Sequence, residues 1–240
     1  MLFWLSLFLI IAVLSFILAK RSVKNAETKV KAPDEPRSLF LIHNPEDINE
    51  LLLAKIHQQL LKERSVVSFE RLYRGNESVL TIYGPQNLPQ LLPELNLLEL
   101  EDYLVPKERT FEVKEANKIN ADQAFIWNVA LKPGLGQGNL LSNLDLGSDE
   151  HFFFQLVLQA VPDKKDLINQ FRVTARALAA TKDRMEKVKL AKRLFADLNQ
   201  KLGTNQNLQP TPQSFDKYQT RLPEGENQMD TSEIISLLKN

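Results

Sequence analysis

The first nineteen residues limit the fold of this chain more than any other feature. Residues 1–19 contain no charged side chain, and their only hydroxyl-bearing residues are two serines. As a helix, a segment of this length crosses a hydrocarbon layer of ~30 Å. The sequence therefore predicts a single transmembrane anchor, whose apolar surface includes Trp4, Phe8, Ile11, Leu14, Phe16 and Leu18.

The residues that follow the anchor set its expected orientation. Lys20, Arg21 and Lys24 come after the apolar run, and no basic residue precedes it. A cleaved signal peptide would carry basic residues before its apolar segment, so an anchor is favoured over a signal peptide. The positive-inside rule places the basic end in the cytoplasm. We therefore expect an outside N-terminus, a basic tether over 20–36 and a folded part on the cytoplasmic side of the cell membrane.

Composition narrows the class of protein. Hydrophobic residues make up 43% and charged residues 25% of the chain, which matches a globular protein and excludes a wholly disordered one. Cysteine is absent, so disulfide-stapled modules, thiolate metal sites and cysteine nucleophiles are excluded. The formal net charge is zero, but residues 162–203 hold eleven basic and five acidic residues. The charge is therefore unevenly distributed along the chain.

Residues 37–106 show a regular alternation of predicted elements. A strand at 37–43 leads to Asn44, which is placed to cap a helix, and Ile48, Leu52 and Ile56 continue that helix to about residue 63. A hairpin at 66–83, a proline-broken helical stretch at 84–97 and a strand at 98–105 follow. This order predicts an α+β fold whose first part is a ferredoxin-like, split βαβ unit.

Residues 107–203 are expected to form a second, partial α/β unit. The patterns predict a strand at 109–115, a helix at 120–132 that carries Trp127 in the core or at an interface, and a buried strand at 151–161. Helical spacing without glycine then predicts one long helix or two over 162–202. In the remaining tail, 204–240, residues 204–229 are expected to be disordered because large apolar residues are sparse.

The last ten residues return to an amphipathic pattern. Asp230 or Thr231 can cap a short helix whose apolar face holds Ile234, Ile235, Leu237 and Leu238. Ten residues are too few to hold a helix alone in water. The segment is therefore expected to dock, either on its own domain or on a partner.

The strand and helix pattern resembles a known family. The segments that carry the resemblance are "FLIHNPEDINELLLAKIHQQL", "VSFERLYR", "VLTIYGP", "LELEDYL" and "DEHFFFQLVLQAVPDK". Over about 37–165 the chain is similar to a domain of unknown function in membrane-anchored proteins of candidate-phyla, Patescibacteria-type bacteria. The resemblance implies a scaffolding role beside type IV secretion-like or DNA-translocating ATPases. It implies no active-site residues.

The basic stretch within 172–193 is the strongest candidate for a charged binding surface. Its candidate patch consists of Arg172, Arg176, Arg184, Lys187, Lys189, Lys192 and Arg193. Such residues on one helix can bind nucleic acid or anionic lipid by releasing counterions. Intervening acidic residues also fit an ordinary solvated helix face. The alternative function is therefore a nucleic-acid-binding accessory protein.

Signals for catalysis are weak. Gly134, Gly136 and Gly138 form a glycine-rich loop, but no lysine follows in the phosphate-binding position. The three histidines have no ligand-like spacing, and no serine-hydrolase motif is present. The sequence thus predicts no catalytic residue, metal or cofactor. It favours a membrane-tethered scaffold or interaction protein with an unidentified protein partner over an enzyme that uses the glycine loop.

Overall fold

The computed structural model describes residues 35–75, 77–104, 119, 121–131, 140–142, 144–162, 169–183, 185–203, 210–225 and 227–239. The predicted anchor, most of the tether, the predicted strand at 109–115 and the glycine loop lie outside these residues. Within the described ranges, no helix combines the length and the apolar character needed to span a membrane.

The described residues form a mixed α+β fold around an antiparallel sheet. Its strands are β1 (Arg37–Leu41), β2 (Val67–Arg74), β3 (Glu77–Pro85), β4 (Leu98–Leu100), β5 (Ala124–Val129), β6 (Glu150–Ala160), β7 (Gln170–Thr181) and β8 (Gln228–Asp230). Their order is β4-β1-β3-β2-β6-β7-β5, and β8 also pairs with β7. The helices are α1 (Glu50–Glu63), α2 (Leu88–Leu91), α3 (Glu186–Lys201), α4 (Phe215–Thr220) and α5 (Thr231–Leu238).

The two units expected from the sequence share one sheet. The whole of β2 pairs with β6, from Val67 opposite Leu158 to Arg74 opposite His151. Residues 37–106 and 107–203 thus meet through a continuous ladder, and residues Asp34–Asn240 group as one compact unit. The predicted central strand at 151–161 is confirmed as β6.

The sheet has two different faces, because side chains alternate along each strand. On β2, Val67 and Phe69 point to the face that packs against α1, α3 and α5, which we call the helix face. Ser68 and Glu70 point to the opposite face. That face is covered by Tyr103, Leu104 and the segment around α4, so the sheet is buried on both sides.

The predicted hairpin and first helix are confirmed, with a correction at the start of the helix. Asn44 does not cap α1, because Pro45–Asp47 forms a separate 3-10 turn and Ile48 then becomes extended. The side chain of Asn49 accepts a hydrogen bond from the Leu52 amide and is the true cap. Ile48 is fully buried, which explains why the chain straightens there to seat it before the helix begins.

The helix predicted at 120–132 is wrong. Residues Ala124–Val129 form strand β5, which pairs with β7. Phe125, Trp127 and Val129 alternate toward the helix face, and Ile126 points to the other. A capping-like sequence before this segment misled the prediction, whereas aromatic and β-branched residues with a period of two fit the sheet. Trp127 is nevertheless buried, as expected.

The long helical region predicted over 162–202 is also wrong in its first part. Residues Gln170–Thr181 form β7, which pairs with β6 along eleven residues. Its alanines favour a helix intrinsically, but they also fit a strand when every second residue faces the core. Ala175, Ala177 and Ala179 face α3, which is the one helix among the described residues of 162–202.

The tail predicted to be disordered carries ordered structure. We call residues 210–239, apart from residue 226, the C-terminal strap. We call the face opposite the helix face the strap face. Phe215 and Tyr218 on α4 are buried against the strap face. The chain then passes through β8 and places α5 on the helix face beside α1. The expected docking helix is thus confirmed, and it docks on its own domain.

The cap of α5 allows a small, specific test. Asp230 accepts hydrogen bonds from the Glu233 amide, and the Glu233 carboxylate accepts one from the Asp230 amide. Such a capping box contributes about 0.5–2 kcal/mol. We expect Asp230→Ala to lower the free energy of unfolding by about 1 kcal/mol in urea titrations. Asp145→Ala, at a nearly fully exposed side chain, is the control and should change it little. Equal values for both variants would contradict the assigned cap.

Candidate functional site

A row of polar side chains crosses the middle of the strap face. Thr81, Glu70, Gln155, Arg176 and Asn128 lie opposite one another on β3, β2, β6, β7 and β5. The first four are buried. A buried polar group without a partner costs free energy. The residues that cover the strap face must therefore supply hydrogen-bond partners for this row.

Glu70 is the centre of this polar row. It is 0% exposed, and its carboxylate accepts hydrogen bonds from Ser68 Oγ (3.0 Å), Tyr103 OH (2.9 Å) and Gln155 Nε2 (3.1 Å). Arg221 adds Nε at 2.6 Å and Nη2 at 3.3 Å. Five donors therefore surround the two carboxylate oxygens, which leaves little capacity for any further ligand.

Arg221 brings the strap to this carboxylate. The residue lies just after α4 in the left-handed region, with φ of 51°, so the turn points its side chain down into the sheet. Its guanidinium also holds Asp102 by a fork of two bonds, at 2.8 and 3.0 Å, and stacks 3.9 Å above the Tyr83 ring. Arg221 thus joins Glu70 and Asp102, from two separate parts of the chain.

The electrostatics of the cluster fix the protonation states of Arg221 and of its two tyrosines. Burial by itself acts to lower the pKa of Arg221, but the carboxylates of Glu70 and Asp102 outweigh it and raise this pKa well above its usual value. Burial, followed by the charge of Glu70, raises the pKa of Tyr103 and of Tyr218. Near neutral pH the arginine stays charged and both phenols stay protonated as hydrogen-bond donors.

The rest of the row is tied to the strap in the same way. Arg176 donates to Gln155 Oε1 at 3.0 Å and to the Leu222 carbonyl at 2.6 Å. Thr174 exchanges hydrogen bonds with the backbone of Glu224. Gln155 donates in addition to the Tyr218 carbonyl. The sheet therefore binds the strap through charged and amide groups as well as through apolar contacts.

The hydrogen-bonding groups of this cluster are used within the protein. The two tyrosines and the glutamate resemble an acid–base group, yet their hydrogen bonds are made to one another and to Ser68, Gln155 and Arg221. A cavity of the described part of the chain lies on the helix face. We therefore interpret the Glu70–Arg221 cluster as a lock that fastens the strap to the sheet.

The second feature is an apolar groove of about 150 Å³ between α1 and the start of the short α2. Pro89 and Pro93 limit α2 to a single turn, so it leaves part of the helix face uncovered. Ile56, Leu60 and Leu91 line the groove, and Lys55 stands at its rim in an ion pair with Glu94. Its volume suits one large apolar side chain.

The structure disperses the candidate basic patch. Arg172 and Arg176 lie on β7, and Arg176 is buried. Lys187, Lys189, Lys192 and Arg193 lie on α3. Three of these four cations already have partners: the Asp122 carbonyl, Glu186 and Glu150. Arg184, like the anchor residues and Lys20, Arg21 and Lys24, lies outside the described residues.

The candidate docking residues, unlike those of the basic patch, lie together in the structure. Ile234, Leu237 and Leu238 are buried on the helix face, and Ile235 packs against the same core. Lys239 donates to the Glu46 carbonyl beyond the end of the helix. No group of acidic or histidine side chains in the described ranges is arranged to bind a metal ion.

Sequence reasoning missed the residues that form the lock. Gln155 interrupts the apolar run "FFFQLVL" of β6, and Glu70 follows Phe69 in the segment "VSFERLY" of β2. A charged or amide side chain in such a strand signals a buried polar partner. The sequence does not say which residue that partner is, and Arg221 lies 151 positions away.

Comparisons with family models, with curated proteins and with solved structures found no match to this chain.

Proposed function

We propose that this chain is a membrane-tethered scaffold or interaction protein at the cytoplasmic face of the membrane. One observation carries the proposal: the most polar cluster of the described interior is enclosed, and its donors and acceptors are used to fix the strap. What the fold offers to other molecules is therefore its outer surface. The apolar residues 1–19, with Lys20, Arg21 and Lys24 behind them, support the membrane tether.

We also propose that Arg37–Leu100 forms a ferredoxin-like unit whose sheet continues from β2 into β6, β7 and β5. The strand order β4-β1-β3-β2, with α1 between β1 and β2, supports this proposal. The short α2 departs from the usual second helix and leaves the apolar groove. The resemblance over 37–165 supports an accessory role at a secretion or translocation machine of the inner membrane face.

Topology is the first test, because every partner depends on the compartment. The chain has no cysteine, so single cysteines at Ser22 and Ser214 report their side of the membrane. We expect a membrane-impermeant maleimide to label neither position in intact cells and both after lysis. Ser214 is exposed in the structure, so burial will not mask it. Labelling in intact cells would overturn the cytoplasmic assignment.

The interaction role needs a second experiment. The full chain, purified from its native membrane, is expected to retain a protein partner at fixed stoichiometry. A variant without residues 1–19 is the matched control and should lose that partner if it resides in the membrane. Nuclease treatment should leave the association intact. An association that disappears with nuclease would instead favour the nucleic-acid-binding alternative.

A further inference from the structure

The apolar groove between α1 and α2 has one polar wall. Lys55, Gln59 and Glu63 stand on successive turns of α1 and line one side, whereas the other lining residues are apolar. Lys55 is paired with Glu94, and Gln59 donates from Nε2 to Glu63 Oε1. The second carboxylate oxygen, Glu63 Oε2, is buried and accepts no hydrogen bond from any described residue. The groove therefore has an unused acceptor at the end where α1 stops.

An unused donor lies at the same end of the groove. Arg37 pairs across the sheet with Pro85, which lines the groove, and it donates from Nη2 to the Val66 carbonyl. Its Nη1 is buried and donates to none of the residues that the structure describes. Burial lowers the pKa of Arg37, and the Glu63 carboxylate is one of the charges that oppose this shift. Both side chains are half-buried, so a small rotation can turn each free atom toward the groove.

This pair of free atoms restricts the chemistry of a ligand. Buried polar atoms without partners cost free energy, and a ligand that supplies partners removes that cost. A cation would suit Glu63 but would be repelled by Arg37, and an acyl chain would satisfy neither residue. A peptide group suits both, because its N–H donates to a carboxylate and its carbonyl accepts from a guanidinium. The charges at this end of the groove therefore complement a peptide main chain.

We propose that the groove binds an extended peptide segment of a partner protein, with one large apolar side chain between α1 and α2 and the adjacent peptide group at Glu63 and Arg37. The cavity of about 150 Å³ accommodates such a side chain. In this kind of recognition, main-chain hydrogen bonds supply affinity and the side-chain pocket supplies specificity. The inference rests on the proposed function, because it names the class of partner that the interaction protein holds.

The probe is a phage-displayed library of random linear peptides, selected on the full-length chain in lipid nanodiscs. Leu91→Trp fills the groove from its half-buried rim, and Val188→Trp adds the same side chain at an exposed position of α3 as the matched control. We expect the selected peptides to share one large apolar residue. A synthetic copy should bind Val188→Trp as tightly as the unchanged chain and Leu91→Trp about tenfold more weakly. Circular dichroism verifies that both variants are folded.

N-methylation of single peptide bonds tests the polar end and does not depend on the tryptophan variants. Methylation beside the apolar residue should weaken binding to the unchanged chain about tenfold, because it removes the donor to Glu63. Glu63→Ala should bind the methylated and unmethylated peptides equally, because the acceptor is then missing. A purely structural effect of Glu63→Ala would weaken both peptides and leave the difference between them unchanged.

Several results would overturn the proposal. One is the absence of peptides enriched on the unchanged chain over Leu91→Trp, and another is the absence of a methylated bond coupled to Glu63. A phospholipid that native mass spectrometry finds on the unchanged chain but not on Leu91→Trp would assign the groove to an acyl chain. Self-association that Leu91→Trp abolishes would assign it to a second copy.

The peptide experiment and the topology experiment fail independently. If no peptide is enriched while the cysteines at Ser22 and Ser214 stay unlabelled in intact cells, the peptide groove is refuted and the cytoplasmic scaffold stands. If peptides bind as expected while those cysteines are labelled, the cytoplasmic assignment is refuted and the peptide groove stands.

Discussion

A chain that ends at Gly203 is expected to be unfolded at 25 °C and to show no cooperative unfolding transition on heating. The truncation removes the strap, and with it six buried apolar side chains: Phe215, Tyr218, Met229, Ile234, Leu237 and Leu238. Burial of each contributes about 1.5–3 kcal/mol, and the total stability of a domain is ~5–15 kcal/mol. Removal of Arg221 in addition leaves the Glu70 carboxylate without its cation.

Calorimetry and near-ultraviolet circular dichroism would measure this effect. A chain that lacks Asn240 alone is the matched control, and its melting temperature should be unchanged. The result also tests the position of the last helix on its own domain. If the strap served a partner alone, truncation would preserve the melting temperature and remove that partner. An unchanged transition for the Gly203 truncation would thus contradict the docked position of α5.

Breaking the lock at a single residue is expected to cost ~3–5 kcal/mol. Arg221→Met keeps much of the side-chain volume but leaves Glu70 charged and buried without its main partner. For a unit of this size, such a loss lowers the melting temperature by about 10 °C. Arg193→Met is the control, because Arg193 is half-exposed and its ion pairs with Glu150 and Asp145 lie at the surface.

The double variant Glu70→Gln with Arg221→Met tests the cause of that loss. A glutamine keeps hydrogen-bonding capacity toward Ser68 and Tyr103 and removes the uncompensated charge. We therefore expect the double variant to be more stable than Arg221→Met alone by about 1–3 kcal/mol, measured by urea unfolding. If the two substitutions destabilise additively, the ion pair is not the source of the stability of the lock.

Local patterns predicted the first half of the fold. In α1, apolar residues every four positions mark the buried stripe. The hairpin of β2 and β3 follows from the strand-forming residues on either side of Gly75. The conformation of these elements is determined by residues close in sequence, and the preferences of those residues match the final fold. The cap was misplaced by five residues, from Asn49 to Asn44, because the burial of Ile48 is a tertiary effect.

The second half was mispredicted where long-range pairing decided the outcome. Ala124–Val129 and Gln170–Thr181 carry helix-compatible features, yet each is paired along its length with another strand. Periodicity in an alanine-rich segment does not distinguish a period of two from a period of 3.6 when small residues occupy both faces. The β6 strand resolves the ambiguity by offering a continuous edge for β7.

The sequence by itself determined the α+β class, the buried β6 strand, the first helix and hairpin, and the amphipathic character of the last ten residues. Only the tertiary structure decided that β2 pairs with β6, that the tail is a strap across both faces, and that Arg221 is the partner of Glu70. The physical reason is distance along the chain. Periodicity and capping act over a few residues, whereas a buried charge is satisfied by whichever group the completed fold brings to it.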